Sequence, residues 1–367
     1  MSGGSPLVPL HSLYKTGYTA IQYRLRTFAG GRWADHCRPT DIGFMMTNLC
    51  NARCVHCDIW KNKGKEAFPT PEQYNTMLSD LRAWLGPVHV YLSGGEALLR
   101  PYTTDVLAHG AKIGLFMEML THGYWDDQSR IEKAALANPW RLTVSLDAAS
   151  ATHDIVRGRE KFFDKTSTTI QTLLRVRKEK GLGFNIRLKT VIMAQNMDEV
   201  SEVARFANSH EGMDVFYQAV EQNYNTPEDP RWFEHSENWP KDPERAIQAV
   251  EKLIALKKQG LRIGNSLQQL ESMIPYFRDP DAMRVAIQSH TAHEHKPICS
   301  ALTSIQVQPN GDIISCYGKP PVGNIKTTPI REIWENRPRW WREGCCLNER
   351  CTTAEKELLS IGNATSK

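Results

Sequence analysis

No apolar run in this chain is long enough to cross a bilayer. Stretches such as 42–46 and 115–120 stop far short of the ~20 residues a spanning helix needs. Residues 1–10 lack the basic-then-apolar pattern of a secretory signal, so a cytoplasmic location is expected. Lysines and arginines are dispersed instead of gathered into a stripe, which argues against nucleic acid as a partner. The formal charge of +4 is small, and metal-bound thiolates would bring it closer to neutral. Internal repeats and low-complexity tracts are missing too. Without a secretory context, the nine cysteines among 367 residues read as metal ligands or reactive thiols, not as disulfides.

Those cysteines are unevenly placed. Cys50, Cys54 and Cys57 form one tight group, in the run Cys50-Asn51-Ala52-Arg53-Cys54-Val55-His56-Cys57. Cys299, Cys316, Cys345, Cys346 and Cys351 form a second, and Cys37 stands alone as an expected packed thiol. Three thiolates so spaced suit an iron–sulfur cluster with one iron left open to a ligand from outside the protein. Zinc is the competing reading, but a structural zinc site usually wants four held ligands.

Between about 41 and 222, short β-rich runs alternate with helical patterns. Strands are expected at 42–47, 88–92, 115–121, 142–146, 184–192 and 215–219. Helices are expected at 71–85, 102–111, 128–137, 163–180, 197–208 and 243–259. Such alternation implies a parallel sheet with right-handed crossovers. Six units are too few for a closed eight-stranded barrel, so the expected fold is α/β, an open partial (β/α)6 TIM-type barrel. The cysteine triplet would then lie after the first strand, on the face where parallel barrels bind ligands. Residues 221–243, rich in proline and aromatics, read as a long surface loop able to act as a lid. His290, His293 and His295 fall in a second break and read as a solvated loop or as metal ligands. Tyr14, Tyr18, Ile21, Tyr23 and Leu25, among basic residues, read as a helix that packs across the barrel or lies on a membrane surface.

Other residues carry weaker signals. Ser93-Gly94-Gly95-Glu96 follows the second strand, and paired glycines let a ligand approach the backbone closely. Ser145 and Asp147 end the fourth strand, followed by His153, Asp154, Arg157 and Gly158. Arg157 reads equally as a partner for a ligand carboxylate or for Asp154. Arg187 and Lys189 share one face of the fifth strand, where one of them reads as a partner for a ligand carboxylate or both as an ion-paired strand end, with Asn196 and Gln218 further on. In the C-terminal part, 304–308, Pro309-Asn310-Gly311-Asp312 and Ile313–Ser315 read as a β-hairpin with a tight turn, followed by an amphipathic helix over 330–341.

Taken together, CNARCVHC resembles the CxxxCxxC signature of the radical SAM enzymes. That resemblance implies that Cys50, Cys54 and Cys57 hold a [4Fe-4S] cluster whose fourth iron binds S-adenosylmethionine. One electron would cleave the cofactor to a 5′-deoxyadenosyl radical that takes hydrogen from a substrate. The resemblance further assigns cofactor contacts to Gly94, Gly95 and Glu96 (the GGE motif, at the amino group), to Ser145 and Asp147 near the ribose, and to His56 near the adenine. The C-terminal group, with its Gly-Asn-Ile and Glu332-Ile333-Trp334 landmarks, resembles the SPASM or shortened twitch extension. It implies a second [4Fe-4S] cluster on Cys299, Cys316, Cys346 and Cys351, Cys345 being the rival for Cys346. The implied organisation is an N-terminal extension (1–40), a radical SAM partial barrel (41–260), a linker (261–298) and an auxiliary-cluster domain (299–367). An electron donor such as flavodoxin or ferredoxin is implied. The expected substrate is a small metabolite, with a ribosomal peptide or a lipid as alternatives, and an iron–sulfur or zinc-binding protein is the non-enzyme alternative. The catalytic residue is not readable.

Overall fold

The computed structural model describes residues 14, 17–18, 21–22, 36–63, 67–227, 229, 231–280, 303–314 and 320–338. Six parallel strands alternate with helices in the order expected: β1 (Asp41–Met45), β2 (His89–Ser93), β3 (Phe116–Thr121), β4 (Arg141–Ser145), β5 (Asn185–Ile192) and β6 (Met213–Ala219). Between and after them run α1 (Pro71–Leu85), α2 (Thr103–Lys112), α3 (Ser129–Leu136), α4 (Thr152–Arg157), α5 (Phe162–Lys180), α6 (Val200–Asn208), α7 (Trp232–His235), α8 (Pro243–Lys258), α9 (Leu267–Glu271) and α10 (Met273–Arg278). Local chemistry sets several ends. Thr70 and Gln73 form a reciprocal capping box with Pro71 in the first turn of α1, which stops at Gly86, φ 75°. Asp242 caps α8 by accepting from Glu244 N–H.

Strand alternation divides two environments. On β5, Ile186, Leu188, Thr190 and Ile192 are fully buried against the helical layer, while Arg187, Lys189 and Val191 lie on the other, concave face. That concave face is strongly polar. His89 joins Asp41 (Nδ1 to Oδ1, 2.6 Å) to Glu118 (Nε2 to Oε2, 2.9 Å), and Thr143 donates to Glu118 at 2.5 Å. Burial pushes the Glu118 carboxyl up, but His89 and Arg141 more than offset it and hold it below the usual range.

The sheet does not stop at β1. Strand β7 (Ser304–Val307) pairs with β1 in parallel, Asp41 opposite Ser304 and Phe44 opposite Val307. β8 (Asp312–Ile314) and β9 (Gly323–Asn324) follow antiparallel, giving one nine-stranded open sheet in the order β6-β5-β4-β3-β2-β1-β7-β8-β9. Gly311, φ 91°, makes the expected turn between β7 and β8. Helix α11 (Ile330–Glu335) buries Trp334, whose Nε1 donates to Cys37 O at 2.9 Å. Cys37 is buried, as expected of a packed thiol.

One expectation changes, and one pair of alternatives is narrowed. The 221–243 segment is not a free surface lid: it contains α7, and its Trp232 and Trp239 are buried with ring centroids 5.5 Å apart. Trp239 also packs on Tyr276 and Phe277 of α10 (Met273–Arg278), at 5.4 and 5.5 Å. The described residues of the N-terminal stretch pack on the protein: Tyr18 donates to Pro39 O at 3.1 Å and the Tyr14 ring lies 6.3 Å from Phe116. Among the described residues no helix is long and apolar enough to cross a membrane. His290, His293, His295, Cys299, Cys316, Cys345, Cys346 and Cys351 lie outside the described residues.

Candidate active site

The loop after β1 carries Cys50, Cys54 and Cys57 and is gripped from three sides. On the first side, Gly95 N–H donates to Thr47 O (2.7 Å) and Glu96 N–H to Leu49 O (2.9 Å). A side chain at Gly94, whose φ is 129°, would overlap Thr47 O, and one at Gly95 would overlap Leu49 O. The paired glycines thus serve the close approach of the two backbones, and the Gly95 and Glu96 N–H groups are engaged by the loop, not open to a ligand. On the second side, the C-terminal end of α4 takes Arg53 N–H on Arg157 O and Val55 N–H on Val156 O, both at 3.0 Å. On the third, the segment after β6 closes on the loop: Asp58 N–H donates to Tyr224 O (2.9 Å), while Asn223 Nδ2 (3.0 Å) and Asn238 Nδ2 (2.9 Å) both donate to Val55 O.

The three thiols are free of disulfides and half-buried. Burial pushes Cys50 up to about 12 and Cys57 to about 11, and raises Cys54 as well. Thiols in such surroundings become thiolates when iron binds them, because the metal charge reverses the burial effect. Among the described residues, no three His, Cys, Asp or Glu side chains converge as ligands of a single ion. Three cysteines that each meet a different iron of one cluster need no such convergence, so this donor set fits a three-cysteine iron–sulfur site.

Around the thiols lies a charged shell. Glu96, 1% exposed, accepts from Leu98 N–H (3.1 Å), Thr121 Oγ1 (3.1 Å) and His122 N–H (2.9 Å). Burial outweighs these bonds and pushes its carboxyl up to about 7. Burial lowers His122 to about 3, and its Nε2 meets Asn51 Oδ1 at 2.7 Å, next to Cys50. Ser145 is half-buried at the end of β4. Asp147 is fully enclosed and ion-paired with Arg157 (2.7 Å), with Oδ1 accepting from Val191 N–H (3.0 Å). Its carboxylate is therefore committed inside the protein instead of being presented to a ribose. Asp154 is not the partner of Arg157: it accepts from Lys161 and Phe163 N–H, both at 2.7 Å, at the start of α5. His56 keeps a buried, unpartnered Nδ1, and burial with Arg157 nearby lowers it to about 4.

Arg187 and Lys189 diverge. Arg187 makes a two-pronged pair with Asp214 (2.7 and 2.6 Å). The side chain of Lys189, in register with Ser145, makes no hydrogen bond or ion pair to a described residue, and burial lowers its pKa. Asn196 braces the fourth and fifth strands, with Nδ2 donating to Asp147 O and Val191 O, both at 2.8 Å. The sequence reading passed over His122, Asn223 and Asn238. The last two have no motif; their signal was an amide-rich stretch among buried tryptophans.

A parallel partial barrel with a three-thiol loop at the C-terminal ends of its strands defines a class of iron–sulfur enzymes, and the comparisons agree. The family model described as the Radical SAM superfamily matches residues 44–207, and that of SPASM, an iron–sulfur cluster-binding domain, matches 299–353. The AdoMet-dependent heme synthase of Methanosarcina barkeri is 27% identical over 329 residues, 88% of this chain and 90% of that protein. A PqqA peptide cyclase of Streptomyces rochei is 24% identical over 324 residues, 84% of this chain and 80% of that protein. Among solved structures, Streptococcus suis SuiB bound to S-adenosylmethionine aligns with a TM-score of 0.61 at 13% identity, covering 92% of this chain and 73% of that one. The chain belongs to the radical SAM superfamily and carries a SPASM iron–sulfur domain. It is accordingly an enzyme that uses a [4Fe-4S] cluster, S-adenosylmethionine and further iron–sulfur in its C-terminal part.

Proposed function

We propose that this enzyme takes hydrogen from a small molecule bearing an anionic group, and that Lys189 receives that group. In this reading Cys50, Cys54 and Cys57 hold the radical-generating cluster. When bound, the cluster and S-adenosylmethionine supply the 5′-deoxyadenosyl radical. Glu96 offers Oε1 to the cofactor ammonium: Oε1 holds only Leu98 N–H, whereas Oε2 is taken by Thr121 Oγ1 and His122 N–H, with His122 Nε2 at 3.3 Å. Gly94 and Gly95 shape the turn beneath it, Ser145 faces the ribose, and the backbone at His56 lies along the adenine. Asp147 serves through Arg157. Cys299, Cys316, Cys346 and Cys351 hold one auxiliary cluster that accepts an electron from the substrate or binds it, and a flavodoxin or ferredoxin supplies the first electron. In the same reading the chain divides at 41, 261 and 299.

The observation that carries the substrate class is Lys189: a lysine on the concave face of β5 whose charge burial disfavours more than Glu118, Glu221 and Asp147 support it, and whose side chain makes no hydrogen bond or ion pair to a described residue. A buried ammonium of this kind is stabilised by an incoming carboxylate or phosphate. The likeness to a heme synthase over 90% of that protein's length supports a small-molecule substrate. The PqqA peptide cyclase favours a second reading, a peptide substrate. Holoenzyme can be incubated with the low-molecular-weight filtrate, and separately the peptide fraction, of an extract from cells grown in heavy water. Deuterium in 5′-deoxyadenosine from the filtrate, lost in Lys189→Met while slow substrate-free cleavage persists, is the expected result. Deuterium from the peptide fraction alone would replace the first reading with the second.

A further inference from the structure

The guanidinium of Arg157 is buried between the Asp147 carboxylate and the Cys54 sulfur. One nitrogen lies 2.7 Å from Asp147 Oδ2, and another donates to Cys54 Sγ at 3.6 Å, a normal distance to sulfur. The main chain of the same turn grips the residues flanking Cys54, through Arg53 N–H on Arg157 O and Val55 N–H on Val156 O. Gly158, φ 67°, permits that approach, since a side chain there would overlap Arg53 O. Asp147 is itself fixed: its N–H donates to His153 Nδ1 (3.1 Å) and its carbonyl accepts from Asn196 (2.8 Å). His56, Cys57, His122, His153 and Lys189 also lie within electrostatic reach of the pair, His153 Nδ1 at 3.7 Å from Asp147 Oδ2. Cys50, by contrast, receives a backbone donor, Ala52 N–H at 3.4 Å.

We infer that Arg157 is a positioning residue that acts through Cys54: its charge and its N–H···S bond raise the reduction potential of the iron–sulfur site that Cys54 holds, and Asp147 moderates that field. Hydrogen bonds to sulfur and net charge are the levers by which a protein sets such potentials. A cluster that gains an electron becomes more negative, so a fixed cation against one of its thiolates favours the reduced form. The inference rests on the proposed assignment of Cys50, Cys54 and Cys57 as ligands.

The test is a redox titration of the holoenzyme, read on the component of the reduced EPR spectrum that responds to S-adenosylmethionine. Arg157→Gln, with iron retained, is expected to disfavour reduction about tenfold, ~59 mV for one electron. Arg157→Lys, which keeps the charge, is expected to recover most of that loss. An unchanged potential in Arg157→Gln, or a value in Arg157→Lys as low as in Arg157→Gln, overturns the inference. If Arg157→Gln loses its iron, Asp147→Asn decides: it keeps the arginine and removes the opposing charge, so the potential should rise, and an unchanged or lower value overturns the inference. Cys54→Ala tests the underlying assignment separately. A responsive EPR signal that survives in that variant defeats the ligand set, whatever Arg157 does.

Discussion

At Glu96, burial and ligand charge pull in opposite directions. Its carboxyl is pushed up to about 7, so the cofactor-free enzyme holds it largely protonated below that pH and ionised above it. The raised value means that this group's contribution to apo stability is full at low pH and falls as pH rises through about 7. Binding an ammonium favours the ionised form. S-adenosylmethionine affinity should therefore strengthen from pH 6 toward 8, measured by equilibrium dialysis at ~10-fold steps of cofactor concentration. Glu96→Gln should weaken binding by ~10- to 100-fold, the range for one charge-assisted hydrogen bond, and flatten the pH dependence. A pH-independent affinity in the wild type would refute the role.

Gly95 gives a second residue-scale outcome. Gly95→Ala drives a methyl into Leu49 O and should cost ~2 kcal/mol or more, with iron lost in reconstitution, whereas Gly183→Ala, with nothing within 4 Å, should leave both unchanged. Thermal melts and iron assays compare the two. At this scale the sequence shows most where a motif packs its residues close together: Cys50, Cys54 and Cys57 share the loop after β1, and Gly94-Gly95-Glu96 follows β2. Their glycines were read as room for a ligand, yet the structure uses them to let two backbone segments meet. Arg157 could not be paired from sequence, because its partners are chosen by how α4 docks on the loop, 103 residues away from Cys54 in the chain.

Among the elements, the segment after β6 departs most from its sequence reading. Its prolines and polar residues suggested a mobile cover, but Trp232 and Trp239 supply enough buried surface to fix it, and the two amides then reach Val55 O. Replacing both Asn223 and Asn238 by Ala leaves that carbonyl without its side-chain donors, at a cost of ~1–3 kcal/mol. Hydrogen exchange at Asp58, which donates to Tyr224 O, should quicken in the double variant. Unchanged exchange would return the segment to the status of a loose cover. The strands and helices were far more legible, because their hydrophobic periods of two and about 3.6 are local signals.

On the scale of the whole molecule, β7 joins the sheet at β1, the strand that leads into the cysteine loop. The C-terminal hairpin was readable from Asn310-Gly311, but its docking partner was not, since pairing across 263 residues leaves no local trace. A chain cut after residue 280 would leave β1 as an exposed edge, a template for intermolecular pairing. It should elute from a sizing column as aggregate where the full chain does not; a well-behaved truncated species would show that β1 needs no cover. Anaerobic reconstitution of the full chain should incorporate about eight irons, four for each of two [4Fe-4S] clusters. Chromatographic detection of 5′-deoxyadenosine, in that reconstituted enzyme after reduction and addition of S-adenosylmethionine, is the most direct test of radical SAM chemistry. The wild type should form it and the Cys50→Ala, Cys54→Ala and Cys57→Ala variants should not; an iron-loaded wild type that forms none would contradict reductive cleavage of the cofactor at these cysteines.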